Sequence, residues 1–131
     1  MSQTLACTTL LVHDYDTAID FFTRALQFSL WQDTALPDGR RWVLVGPASG
    51  DGGKLLLAQA STPEQRLCVG HQAGGRVFQF LHTSDFAADH AHMCAQGVVF
   101  DESPRAEPYG TVAVFRDLCG NKWDLLQPAA A

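Results

Sequence analysis

The pattern of apolar and polar positions occurs twice along this chain. An apolar run, an acidic turn and a helical spacing follow one another in residues 8–28 and again in residues 76–98. Each copy closes on a similar strand, in residues 52–59 and 120–127, with Gly, Lys, Leu and Gln at matching positions. A duplication of this kind predicts two copies of one β-α-β-β-β unit.

The first copy predicts a helix among four strands. Asp14 or Asp16 offers an N-cap, and apolar residues then recur at helical spacing as far as Leu26. The predicted strands are residues 5–12, 28–32, 41–45 and 54–59. Residues 61–75 have no clean periodicity, so we expect a loop there that joins the copies.

The second copy predicts the same order of elements. Ser84 or Asp85 caps a helix that ends at Gly97, a residue type typical of the position after a helix. The predicted strands are residues 77–82, 98–101, 111–116 and 122–127. Residues 103–110, which read SPRAEPYG, contain two prolines and predict a loop.

Length and composition restrict the function. We expect 131 residues to form a single domain, with one module at about 4–60, a linker at 61–75 and a second module at about 76–128. A net charge of −5 without a cluster of basic residues argues against nucleic-acid binding. No apolar stretch is long enough to span a bilayer and no secretion signal is present, so we expect no membrane association and a cytoplasmic location. The four cysteines lack metal-binding spacing and are expected to be free thiols.

Three segments in order carry a family resemblance: DYDTAIDFFTRALQF, RWVLVGP and AVFRDLCGNKWDLL. Together they resemble the vicinal oxygen chelate superfamily, which includes glyoxalase I, bleomycin resistance proteins and extradiol dioxygenases. The resemblance implies an α+β fold in which two βαβββ modules form cup-shaped mixed sheets with helices on the convex side. It also implies a homodimer and a ligand cavity on the concave side.

Many members of this superfamily hold a divalent metal through the first and last strands of each module. The resemblance places the four ligand positions on Cys7, Leu56, Phe78 (or Val77, one residue earlier) and Asp124. Leu and Phe have no donor atom, and a catalytic metal needs about three protein ligands. We therefore expect that the metal site has been lost and that the protein uses no cofactor.

Asp124 is the candidate catalytic residue. Its strand is otherwise half apolar, so an inward carboxylate needs a partner. One interpretation is that Lys122 or a backbone donor satisfies it, and the other is a cavity carboxylate that acts as a general base or holds a ligand donor. Arg105, Glu107 and Tyr109 are substrate contacts in one interpretation, whereas in the other Arg105 and Glu107 form a surface ion pair.

Aromatic residues on the strands either form ordinary core or line an apolar cavity. They are Trp31, Trp42, Trp123, Phe78, Phe80 and Phe115. His82 ends its strand at the expected cavity rim. The expected ligand-binding residues are Cys7, Leu56, Phe78, Phe80, His82, Arg105, Glu107, Tyr109 and Asp124.

Two functions remain open from the sequence. The first is a binding protein of the drug-resistance kind that captures a flat organic molecule in an aromatic groove, and the acidity of the chain favours a basic ligand. The alternative is a metal-dependent lyase, isomerase or dioxygenase that uses Asp124 and Cys7. The fold cannot choose between them, because one architecture supports many chemistries.

Overall fold

A computed structural model describes residues 1–130, which divide into two compact units, Met1–Gly70 and a second that begins at His71. The first unit contains β1 (Cys7–Val12), α1 (Tyr15–Asp20) with a π-helical continuation (Phe21–Ala25), β2 (Ser29–Ala35), β3 (Arg41–Gly46), β4 (Lys54–Gln59) and α2 (Pro63–Cys68). The second contains β5 (Val77–His82), α3 (Phe86–Ala95), β6 (Arg105–Glu107), β7 (Gly110–Arg116) and β8 (Lys122–Pro128).

The two sheets have the same topology. The strand order is β1-β4-β3-β2 in the first unit and β5-β8-β7-β6 in the second. In each unit the first strand is parallel to the last, and the remaining pairs are antiparallel. These two mixed four-stranded sheets confirm the predicted α+β class and the duplicated module.

Equivalent aspartates begin the main helix of each unit. Asp14 accepts a hydrogen bond from the Thr17 backbone N–H at 2.8 Å, and Asp85 accepts one from the Ala88 N–H at 3.1 Å. Each carboxylate thereby satisfies a backbone donor that the first helical turn leaves free. Of the alternatives in the sequence, the structure selects the two caps that the duplication makes equivalent.

Equivalent glutamines lie at or next to the end of the last strand of each unit and tie it to the segment that leads into the helix. The Gln59 side chain donates to the His13 carbonyl at 3.1 Å. The Gln127 side chain accepts from the Phe86 backbone N–H at 2.8 Å. The shared glutamine of the sequence repeat therefore has an equivalent position but opposite hydrogen-bonding roles in the two copies.

One face of the first sheet packs against its helix and forms the core of the first unit. Its side chains come from alternating strand positions, as period-two burial requires. The most completely buried of them are Leu10, Val12, Val43, Val45 and Leu57. Phe22, in the π-helical continuation, is also fully buried.

The core of the second unit contains a chain of aromatic rings that runs from α3 to the sheet. Phe86 stacks on His90, His90 contacts Phe100, and Phe100 contacts Phe115 with ring centroids 5.7 Å apart. Phe115 then stacks on Trp123 at 5.6 Å. Phe115 and Trp123 are almost fully buried, so for these two aromatic residues the core interpretation holds.

Two segments within residues 1–75 differ from the prediction. The expected loop 61–75 contains α2, capped by Thr62 with Pro63 in its first turn. The periodicity missed it because none of its six residues is buried, so it presents no apolar stripe. The strand β2 also runs later than expected, from Ser29 to Ala35 rather than over 28–32.

The predicted strand 98–101 and loop 103–110 are both wrong. Only Phe100 forms a bridge to β7, at Phe115, whereas the supposed loop contains the strand β6. Phe100 and then β6 therefore lie along the same edge of β7. Between them, near Pro104, the chain moves away from that edge. Proline has no backbone N–H to donate to a sheet, so the interruption at this residue is expected.

Within residues 1–130, every helix is too short or too polar to cross a membrane.

Candidate functional site

The face of the second sheet opposite α3 is called here the site face. Trp123 and Leu125 of β8 point towards the core, so the alternate residues Lys122, Asp124 and Leu126 lie on the site face. Residues paired with these three across the strands lie on the same face, because cross-strand partners point to the same side of a sheet. These neighbours are Phe80, His82, Arg105, Glu107, Val112, Val114 and Arg116.

Asp124 lies at the middle of the site face, between Phe80 of β5 and Val114 of β7. Its Oδ1 atom is buried and accepts no hydrogen bond from the described residues 1–130, so neither Lys122 nor a backbone N–H satisfies that atom. Burial raises the pKa of the Asp124 carboxyl, the charge of Arg105 lowers it, and that of Glu102 raises it. Asp124 is therefore a partly buried carboxyl group whose Oδ1 has no hydrogen-bond donor among residues 1–130.

Arg105 is held beside Asp124 by three side chains. Its Nε donates to Glu102 at 2.9 Å, and its Nη1 donates to Glu107 at 3.0 Å and to the Tyr109 hydroxyl at 3.4 Å. These bonds hold the pKa of Arg105 above its ordinary value. The Arg105–Glu107 ion pair expected from the sequence is present, as part of a larger network rather than alone.

Glu102 is a functional candidate that the sequence reasoning missed. Its Oε2 accepts a hydrogen bond from the Val114 backbone N–H at 2.8 Å, at the point where the chain leaves β7. The bond to Arg105 and the Val114 N–H keep the pKa of Glu102 below its ordinary value. The available signal was the spacing of Glu102 and Arg105, three residues apart and separated by Pro104.

An exposed aromatic side chain lies beside the Asp124 carboxyl, and a second contacts Arg105. Phe80 pairs with Asp124 across the strands and is 62% exposed, and Tyr109 is 52% exposed. His82 is exposed at the end of β5 on the same face. The structure therefore brings together six of the predicted ligand-binding residues: Phe80, His82, Arg105, Glu107, Tyr109 and Asp124.

Phe78 does not lie beside Asp124, and the expected register of β5 is corrected here. A bulge between Val77 and Gln79 adds one residue to β5, so Phe80 is the cross-strand partner of Asp124. The Phe78 ring instead meets the edge of the buried Trp123 ring, with centroids 6.0 Å apart. Phe78 thus supports the core side of the strand.

The other two predicted positions belong to the first unit. Cys7 and Leu56 are both partly buried, and both lie on the face of the first sheet away from its buried core residues. The cross-strand partner of Leu56 is Thr9 rather than Cys7. The expectation that Cys7 and Leu56 converge with Asp124 stays a prediction, whereas the register of β5 removes Phe78 from that group. The exposed tryptophans of this unit are Trp31 and Trp42.

The residues at the family's metal positions do not fit a divalent metal. Leu56 and Phe78 have hydrocarbon side chains, and taking Phe80 in place of Phe78 supplies no donor either. The remaining thiol and carboxylate, Cys7 and Asp124, are too few and chemically mismatched. Elsewhere in residues 1–130, no group of three His, Cys, Asp or Glu side chains is placed to hold a metal.

The charges on the site face favour a cation. Glu102, Glu107 and Asp124 are acidic, and Arg105 already bonds to two of these three carboxylates. Lys122 is the other cation beside Asp124, while Arg116 is paired with Asp101 at 2.9 Å. The arrangement offers an under-compensated carboxylate next to exposed aromatic surface, which suits binding of an organic molecule.

Known proteins share this architecture. A protein of Shewanella frigidimarina (strain NCIMB 400) is 51% identical over 128 residues, covering 97% of this chain and 95% of that protein. The crystal structure of UcmS2 matches with a TM-score of 0.82 and 30% identity, covering 96% of this chain and 98% of that chain. The crystal structure of TnmS3, an antibiotic binding protein from Streptomyces sp. CB03234, matches with a TM-score of 0.76 and 30% identity, covering 98% of both chains. The family model of the Glyoxalase/Bleomycin resistance protein/Dioxygenase superfamily matches residues 4–125, and this chain belongs to that superfamily.

Proposed function

We propose that this protein binds a small organic molecule on the site face and does so without a divalent metal. The observation that carries the proposal is the carboxyl of Asp124, whose buried Oδ1 has no donor within residues 1–130, beside the exposed ring of Phe80. A few polar anchors within apolar surface are typical of ligand sites. The likeness to TnmS3, an antibiotic binding protein, supports the same class of function.

The family also suggests a metal-dependent lyase, isomerase or dioxygenase. The donor set of Cys7, Leu56, Phe78 and Asp124 argues against this alternative, since two of the four positions cannot coordinate. Metal analysis of protein purified without chelators tests it directly. One equivalent of bound iron, manganese, nickel or zinc would favour the enzyme and contradict the metal-free proposal.

A thermal-shift screen against a library of aromatic natural products and antibiotics tests binding itself. A ligand at a hundred times its Kd raises the stability of the folded state by about 2.7 kcal/mol, which is a measurable shift in melting temperature. Hits are then titrated by calorimetry into the wild type and Phe80→Ala. The matched control is Leu67→Ala, which removes another exposed apolar side chain, on α2.

We expect Phe80→Ala to weaken binding at least about tenfold, as loss of an aromatic contact does in other interfaces. Leu67→Ala should bind like the wild type. Equal affinities of all three proteins would place the ligand elsewhere and contradict the proposed site. A homodimer, which the family resemblance implies, and a cytoplasmic location, which the sequence predicts, remain predictions, and sedimentation velocity tests the dimer.

A further inference from the structure

We infer that the ligand is an organic cation, a protonated amine carried by a flat aromatic group. This inference rests on the proposed function and specifies its chemistry. In this arrangement the amine approaches the carboxyl of Asp124, and the aromatic group lies on Phe80.

The carboxyl can be reached from the site face. β8 lies between β5 and β7, so its backbone is covered on both sides. The partial exposure of Asp124 therefore belongs to its side chain, although its Oδ1 is buried. A cation placed against the exposed part of the carboxyl stabilises the negative charge that both oxygens share. It would replace the water that burial has removed from this group.

The surrounding charges select the sign of the ligand. Three carboxylates, of Glu102, Glu107 and Asp124, face two cations, of Arg105 and Lys122, so the local balance is negative. Two of the carboxylates are bonded to Arg105 and gain little from a ligand. Asp124 is the carboxylate with an unsatisfied buried oxygen, so it gains most from an added cation. An anionic ligand would meet the same surplus of negative charge and be repelled.

The apolar surface selects the rest of the ligand. Phe80 is directly across from Asp124 and 62% exposed, so its ring offers apolar surface next to the carboxyl. A flat ring buries such surface without an entropy cost of its own. An amine one carbon away from a two-ring aromatic system satisfies both requirements.

Three probes with the same ring system distinguish the contribution of charge to binding from that of apolar contact. They are 2-naphthylmethylamine, the neutral 2-naphthylmethanol and the anionic 2-naphthoate. Each is titrated at neutral pH into ¹⁵N-labelled protein, and backbone amide shifts give both the affinity and the location. We expect the amine to bind about tenfold more tightly than the alcohol, as a hydrogen bond to a charged group provides, and the naphthoate to bind weakest.

Two variants and a control complete the experiment. Asp124→Asn should abolish the preference for the amine over the alcohol, whereas Phe80→Ala should weaken both equally. Asp51→Asn, an exposed carboxylate in the first unit, changes net charge by the same amount and should leave the preference intact. A preference lost equally in Asp51→Asn would show a general charge effect and contradict the inference.

The remaining outcomes are also decisive. Equal binding of amine and alcohol, a preference that survives Asp124→Asn, or no binding of the amine at millimolar concentration would each overturn the inference. If neutral or anionic library compounds shift the amides of Phe80 and Asp124, the proposed function stands and only the cation is wrong. If every bound compound shifts amides away from the site face, the proposed function fails as well.

Discussion

Replacing Asp124 by asparagine should stabilise the protein at neutral pH. The change keeps the shape of the side chain and removes a negative charge whose Oδ1 is buried without a partner among residues 1–130. The asparagine amide is still a polar group at this place, so the gain is only the difference between burying a charged and a neutral group, and the partial exposure of Asp124 keeps it small. We therefore expect unfolding to require about 1 kcal/mol more, or a urea midpoint higher by roughly 0.5 M.

The stability gained by Asp124→Asn should depend on pH, and the raised pKa of Asp124 determines whether it grows or shrinks as the pH falls. The pKa of Asp124 is raised in the folded protein, mainly by burial, so the folded state holds its proton more tightly than the unfolded state. Protonation therefore stabilises the wild type as the pH falls through the raised pKa. The advantage of Asp124→Asn is complete above that pKa and vanishes below the ordinary aspartate value of 3.8.

The assay is urea denaturation of the wild type and Asp124→Asn, from pH 7 down to the lowest pH at which both stay folded. Asp51→Asn is the control, and its exposed carboxylate should change stability by less than about 0.5 kcal/mol at any pH. The reasoning is refuted if Asp124→Asn loses about 1–3 kcal/mol at neutral pH. That result would mean that Asp124 anchors a donor in solution and belongs to the scaffold.

Three further predictions test the scaffold by urea denaturation and circular dichroism. Asp117→Ala should cost about 3 kcal/mol or more, because the buried carboxylate accepts hydrogen bonds from four donors that would lose their partner. Gly110→Ala should prevent folding or severely destabilise the protein, since the backbone has φ +146° and a Cβ would collide with the carbonyl oxygen of Gln127 on the facing strand. Gly52→Ala, with open space around the added Cβ, should leave the stability almost unchanged. Phe115→Ala should cost about 3–5 kcal/mol, whereas the same change at Phe80 should cost under about 1 kcal/mol, because only Phe115 is buried. Similar losses at both phenylalanines would mean that Phe80 is covered.

The sequence repeat was sufficient to predict the scaffold. Strand periodicity, the capping aspartates and the final glutamines are local signals, and both copies carry them at matching positions. The repeat could not show how β6 forms, because Pro104 interrupts the segment beside β7 and removes its periodicity. It could not show the short helix α2 either, since a helix without a buried residue has no apolar stripe to detect.

The site was harder to predict because it depends on register. Aligning the two copies without a bulge puts Phe78 at the metal position, but the extra residue in β5 places Phe80 beside Asp124. A single-residue bulge leaves almost no trace in one sequence, yet it changes which side chain faces a ligand. Glu102 was missed for a related reason, since its role as the partner of the Val114 N–H exists only once the strand is broken.

The two copies differ where function would require it and agree where folding requires it. The core sides remain apolar in both sheets, and the glutamine bonds recur at the strand ends. On the opposite sides, the pair formed by Thr9 and Leu56 in the first copy corresponds to Phe80 and Asp124 in the second. Folding constrains the core sides through burial but leaves the opposite sides free to change. A carboxylate with an unsatisfied oxygen weakens a sheet, so its presence in only one copy favours a role in binding over a role in the scaffold.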